Sequence, residues 1–369
     1  MKIDIITMHG VYNYGSALQT YATKTYLERK GYEVEIIDYY PGRMRHYGSI
    51  SQLFRDANTF HHNAVKSAII ACVKYCSIPK LKRAFIPFAT EHFLKTDKFE
   101  SNEEIKKNPP KADVYCTGSD QVWNEYLENG FDSTYFLDFA PVGAKKIAFS
   151  ASFGRDDIKP EELEPIQKYL NEYDAISVRE ESGLQTLADT PVDLKACVLD
   201  PSFMLTGEEW NELAPDISEK GYILVYKLHE DSIASEVALE IGKREGKPVI
   251  RISLDYMKRI KGGKTVVAPE VTQFISYIAN ADLVVTDSFH ATAFSINLNV
   301  PFVSIQWKMF NDRIGTILNK TNLCERRATS VEEALTIYRE KIDFDDVNMR
   351  LDHERKLTDE FIEKALSKS

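Results

Sequence analysis

The run Thr286-Asp287-Ser288-Phe289-His290 ends an apolar stretch, Leu283 to Val285, and opens a helix-like one, Ala291 to Leu298. A carboxylate, a hydroxyl and an imidazole therefore arrive together at the first turn of a helix. Unpaired backbone N–H groups and the positive end of the helix dipole collect at such a turn. The place suits an anion, and an imidazole standing in it suits proton transfer. Ser288 is the candidate anion-binding hydroxyl and His290 the candidate acid–base group. A lone histidine is more often a packed structural residue, but the strand-end position favours function here.

Three other segments put polar groups where an α/β sheet holds its ligands, beyond the C-terminal ends of strands. Asn13 and Tyr14, in Gly10-Val11-Tyr12-Asn13-Tyr14-Gly15-Ser16, offer an amide and a phenol to a sugar, with Ser16 as the expected helix cap. The spacing is not GxGxxG, so no dinucleotide fingerprint is present. Gly118-Ser119-Asp120-Gln121-Val122-Trp123-Asn124 brings a carboxylate, an amide and an indole face into one loop, a set suited to carbohydrate. Its structural alternative is a helix cap with Trp123 in the core. Arg179, directly after Ser177-Val178, can aim a planar fork at a carboxylate or phosphate, or pair with Glu180 or Glu181 at the surface. Downstream, Lys308 and Arg313 could add cations to the same pocket or lie on the surface. No acidic or His/Cys cluster has metal-ligand spacing, so no metal is expected.

These loops need strands to carry them. Ile3–Met8, a helix through Leu18, Tyr21, Ala22 and Thr25, Gly31 as its stop, and Tyr32–Tyr39 read as an opening βαβ unit. Strands recur at 113–117, 146–150, 175–178 and 196–199. A second series runs through 222–226, 249–253, 265–267, 283–286 and 302–305, with helices between. The expected class is α/β: two doubly wound Rossmann-like domains facing across a cleft. Residues 1–210 form the first, with a basic helical insertion at about 41–110 in which no strand is expected. Residues 211–345 form the second, and 346–369 a C-terminal helix.

A chain of 369 residues suits two domains, and 43% hydrophobic with 28% charged residues is ordinary for a globular protein. No apolar run approaches a membrane span. Five cysteines without a CxxC pair point to a reducing cytoplasm. The net charge of −10 is uneven: residues 41–95 carry nine Lys/Arg against Asp56 and Glu91, or +7, leaving −17 elsewhere. That segment reads either as a solvated helical insertion or as a peripheral contact with an anionic membrane face. The acidic balance, and the lack of a recognisable module, argue against nucleic acid.

In order along the chain, Gly10 to Thr20, Gly118 to Trp123, Ala151-Ser152-Phe153-Gly154, Ser177-Val178-Arg179-Glu180, Asp200-Pro201 and Thr286 to His290 resemble the polysaccharide pyruvyl transferase family. The resemblance covers most of the chain, through Arg313 and Arg327. It implies a GT-B-like fold and transfer of the enolpyruvyl group of phosphoenolpyruvate to a glycan or lipid-linked sugar in surface polysaccharide or cell-wall glycan biosynthesis. It implies no cofactor beyond that co-substrate. It makes His290 catalytic and Arg179 a donor ligand. With it, Ser288, Arg313 and Lys308 become further donor contacts, Asp120 a base, and Asn13, Tyr14 and Trp123 acceptor contacts. The family often has glycine after the histidine, where this chain has Ala291. The alternatives are a GT-B-type nucleotide-sugar glycosyltransferase, a Ser288–His290–Asp287 hydrolase, which lacks the GxSxG elbow, and a non-catalytic glycan-binding relative.

Overall fold

The computed structural model describes residues 1–42, 48–124, 131–155, 158, 160–306 and 312–367. Two parallel sheets organise it. The first takes β1 (Lys2–Ile6), β2 (Glu33–Tyr39), β3 (Lys95–Phe99), β4 (Val114–Thr117), β5 (Lys145–Ala151), β6 (Ala175–Val178) and β7 (Leu194–Cys197), in the order β3-β2-β1-β4-β5-β6-β7. The second takes β8 (Tyr222–Tyr226), β9 (Val249–Ser253), β10 (Lys264–Val267), β11 (Ala281–Thr286), β12 (Phe302–Ile305) and β13 (Arg327–Ala328), in the order β10-β9-β8-β11-β12-β13. Each order reverses once, between β1 and β4 and between β8 and β11. A doubly wound sheet opens its crevice at such a reversal.

The central strands β1 and β8 are buried on both faces because helices cover both, and are apolar there but for Asp4. Residues 3–6 and 222–226 are buried throughout, as parallel strands require. One difference from expectation lies in the insertion: β3, Lys-Thr-Asp-Lys-Phe, pairs in parallel with β2. It is a sheet edge, and its charged side chains are what an edge strand tolerates.

The two halves share one apolar core. Tyr14, at the start of the helix Tyr14–Arg29, is fully buried and stacks on Phe274 of the second half, with centroids 4.5 Å apart and planes 2° from parallel. The last helix, Phe344–Leu366, returns to the first half. Its Thr358 hydroxyl accepts from Leu199 N, Tyr26 Oη donates to its Asp359, and its Arg355 donates to Phe203 O and Asn297 Oδ1. The five cysteines form no disulfide, and no helix among the described residues is long and apolar enough to cross a membrane.

Candidate active site

The loops leaving β1, β4, β5, β6, β7 and β11 converge. The helix after β1 begins at Asn13, whose side-chain carbonyl accepts from Gly15 N (2.9 Å) and Ser16 N (3.3 Å). Asn13, not Ser16, is therefore the cap. This frees the Ser16 hydroxyl, which donates to Asp120 Oδ2. The absent side chain of Gly15 makes room for an imidazole: a Cβ there would stand 2.0 Å from His290 Nδ1.

Beyond β4 the backbone turns sharply. Asp120 sits at φ 79°, a left-handed conformation that aspartate tolerates better than most residues, and is bridged to Ala151, the last residue of β5. Beyond β6, Arg179 is almost fully buried. Its Nη1 donates to Asp200 Oδ2 at 2.9 Å, its Nη2 lies 3.7 Å from Asp120 Oδ1, and its guanidinium lies 4.5 Å from the centroid of Phe289. Asp200, beyond β7, also accepts from Ser119 Oγ and Ser202 N. Glu180 spends Oε1 on Ser152 Oγ, Phe153 N and Gly154 N, which fixes the loop after β5.

From the second half, β11 presents His290, with its side chain 10% exposed and its Nε2 3.8 Å from Asp200 Oδ2. Arg313, in the helix Asp312–Lys320, donates through Nη1 and Nη2 to the Gln121 carbonyl at 2.8 and 3.1 Å when that amide faces it. The structure thus brings His290, Arg179, Arg313 and Asp120 together from both halves.

The charges are set by burial and by one another. Burial pushes the His290 pKa down. Asp200 and Asp120 oppose this, Arg179 and Arg313 reinforce it, and the net direction is below 6.5. Burial would raise Asp120, but Arg179, His290 and the Ser16 hydrogen bond outweigh it and hold the carboxyl below its usual range. The same contest takes Asp200 down to about 2, with His290 and Arg179 against desolvation. Desolvation wins at Glu180, which is raised, and takes Arg313 down to about 10. The site thus favours ionised aspartates facing arginines, beside an imidazole whose protonation burial opposes.

Several buried polar atoms here make no hydrogen bond among the described residues: His290 Nε2 and Arg179 Nη2, which have only the longer approaches to Asp200 and Asp120, with Arg179 Nε, Arg313 Nε and Glu180 Oε2. Unpaired buried donors are costly, and a cluster of them on cations is a place prepared for an anion.

Other expected residues are placed differently. Tyr14 is core, its hydroxyl donating to Pro269 O at 2.8 Å. Trp123 is core as well, stacked on Phe136, with Nε1 donating to Tyr135 O at 3.2 Å. Neither presents a surface to an acceptor, because apolar packing claims both rings. Asn13 commits its carbonyl to the cap. Ser288 Oγ accepts from Ala291 N and its own N–H donates to Thr286 Oγ1, so it caps the helix while its hydroxyl keeps a proton to donate. Asp287 turns away from His290 to accept from Leu228 N and His229 N, so no Ser–His–Asp triad is assembled. Lys308 lies outside the described residues.

The site also contains Asp200, Glu180, Ser16 and Gly15, which the sequence does not mark as ligand-binding. Asp200 had a usable signal, a carboxylate at a strand end, but before proline it reads as a cap. It is that too, through Ser202 N.

A family model described as polysaccharide pyruvyl transferase matches residues 13–309. A comparison with curated proteins finds no match. Among solved structures, the chain is similar to the UDP-GlcNAc 2-epimerase of Methanocaldococcus jannaschii in complex with UDP-GlcNAc and UDP, at 15% identity over 97% of this chain and 99% of that one, with a TM-score of 0.54. It is also similar to the UDP-N-acetylglucosamine 2-epimerase of Rickettsia bellii, at 12% identity over 98% and 95%, with a TM-score of 0.54. At such identities the likeness shows the fold alone, two Rossmann-like domains in a GT-B-like pair.

Proposed function

Because the chain belongs to the polysaccharide pyruvyl transferase family, we propose that it moves the enolpyruvyl group of phosphoenolpyruvate onto two hydroxyls of a glycan sugar, closing a pyruvate ketal and releasing phosphate. Assembly of a surface polysaccharide or cell-wall glycan, built on a soluble or lipid-linked acceptor, is the setting. The observation that carries this reading is the group of cationic N–H donors on Arg179 and Arg313 that make no hydrogen bond among the described residues, beside the Nε2 of His290, which makes none either. A donor with a carboxylate and a phosphate needs both arginines, and an enol needs a proton source at its methylene carbon.

Charge coupling supplies the sequence of events. Burial is the main cause of the lowered His290 pKa and the arginine fields add to it; the donor's anionic groups cancel those fields and add their own negative charge, so the imidazole takes up a proton as the donor binds. His290 then protonates the methylene carbon, which becomes the methyl group and leaves an oxocarbenium-like centre at C2. The first sugar hydroxyl bonds to C2 and passes its proton to Asp120. Asp120 is a better base at that stage because Arg179 now shares its charge with the donor. The C2–O bond to phosphate breaks, and the departing phosphate takes the Asp120 proton. The second hydroxyl bonds to C2 and returns a proton to His290, which restores the enzyme.

The test is a phosphate-release assay with phosphoenolpyruvate and a panel of soluble and lipid-linked glycans, with mass spectrometry of the product. Phosphate release matched by a ketal-bearing glycan supports the reading. A panel that yields neither, with a protein that does not bind phosphoenolpyruvate, overturns it.

A further inference from the structure

A stretch of this acidic chain, residues 57–90, has no Asp or Glu and carries Lys66, Lys74, Lys80, Lys82 and Arg83. Within it the helix Ala64–Tyr75 is built inside out for a protein in water. It buries the small residues Ser67 and Ala71, chiefly against the helix Ile50–His61. It turns outward Val65 (73% exposed), Ile69 (60%) and Val73 (37%), together with the exposed Cys72 and Cys76. Positions 65, 69, 72 and 76 recur every three or four residues and so share one face. A solvated insertion turns its branched apolar side chains inward; this helix turns them outward beside the exposed Lys66. Ile86, 48% exposed on the following helix Ile78–His92, continues the pattern.

We propose that this face seats on an anionic phospholipid bilayer. Exposed apolar side chains flanked by lysines supply both signals that peripheral binding needs, insertion and attraction to acidic headgroups. The charge complementarity is local, since the remainder of the molecule is strongly acidic and is repelled by the same surface. A second copy of the chain fits less well, because a two-fold contact would set the same cations against one another. The helix Ile78–His92, which carries Ile86, reaches toward the chemistry. Phe85 of the helix Ile78–His92 packs 5.6 Å from Tyr12 and 5.0 Å from Tyr14, ring to ring, and Tyr14 precedes the glycine that abuts His290. An acceptor carried on a membrane lipid would thus be presented beside the cleft.

The experiment is co-sedimentation of the full chain with phosphatidylcholine vesicles, with and without phosphatidylglycerol. Binding is expected only with the anionic lipid, fading at about 1 M salt, where screening shortens to about 3 Å. Val65→Glu with Ile69→Glu, and separately Lys80→Glu with Lys82→Glu, should each lower the partition coefficient by at least about tenfold, with thermal melting unchanged. No binding, equal binding to neutral vesicles, or variants that bind as the parent does would overturn the proposal. So would a dimer in sedimentation velocity that the Val65/Ile69 variant abolishes while vesicle binding is absent. None of these readouts involves turnover, so the result is independent of the donor assignment.

Discussion

Gly15 and His290 come from different halves of the molecule, and the methyl group that Gly15 lacks would lie 2.0 Å from the imidazole Nδ1. The first helix therefore packs directly against the imidazole. Gly15→Ala should displace the ring while adding helix propensity of up to about 1 kcal/mol. Its effect should be catalytic: kcat reduced by about 10²-fold, with folding retained by circular dichroism. A variant with parental kcat would mean that the ring position is unimportant.

His290→Gln keeps a polar group but cannot carry a proton. Loss of a general acid costs about 10²–10⁴-fold, and this should appear in kcat with donor affinity changed little. Isothermal titration of phosphoenolpyruvate, beside steady-state kinetics, separates the two quantities. Unaltered turnover would remove His290 from the mechanism.

The lowered His290 pKa sets the pH behaviour. In kcat/KM, which reports the free enzyme, the limb that falls with rising pH should lie below 6.5, whereas in kcat, with the donor bound, it should lie higher. Stability follows the same group. Because the folded value is depressed, the unfolded chain binds more protons just below pH 6.5, so the contribution is complete above that pH and is lost as pH falls through the folded value. Asp200 adds a second loss, beginning near 3.8 and ending near 2. Urea titrations across pH should show a steeper first slope in the parent than in His290→Gln, since His92, also lowered by burial, contributes to both.

Arg179→Lys retains a charge and loses the fork. Arg179 bridges Asp200, Asp120 and the ring of Phe289, and an ammonium cannot reach all three and a donor as well. One charge-assisted hydrogen bond is worth about 1.5–3 kcal/mol, so the donor Kd should rise about 10- to 100-fold. Thermal-shift titration of the parent should respond to phosphoenolpyruvate and not to UDP-GlcNAc. The opposite selectivity would favour a nucleotide-sugar enzyme.

Much of the architecture was legible because parallel strands buried on both faces are short apolar runs that end in polar residues. His290, Arg179 and Asp120 stood out for that reason, each directly beyond such a run. β3 did not, since an edge strand need not be apolar, and Lys95, Asp97 and Lys98 mask it. The aromatic residues misled for a physical reason. Tyr14 and Trp123 follow strand ends as ligand-binding rings do, but whether a ring faces a cleft or a core depends on what packs over it, and that comes from distant segments such as Phe274 and Phe136. The partnership of Asp200 with Arg179 and His290 was hidden likewise, since it joins three strand ends that are far apart in the chain.

The closing helix, Phe344–Leu366, has a consequence for how the molecule loses its structure. It leaves the second half yet anchors on Leu199, Phe203 and Tyr26 of the first, while the Tyr14–Phe274 stack joins the halves on its own account. Neither sheet can melt while the other keeps its full complement of neighbours. Denaturation should accordingly be a single event, in which the catalytic histidine and the carboxylates it faces are lost together and not in turn.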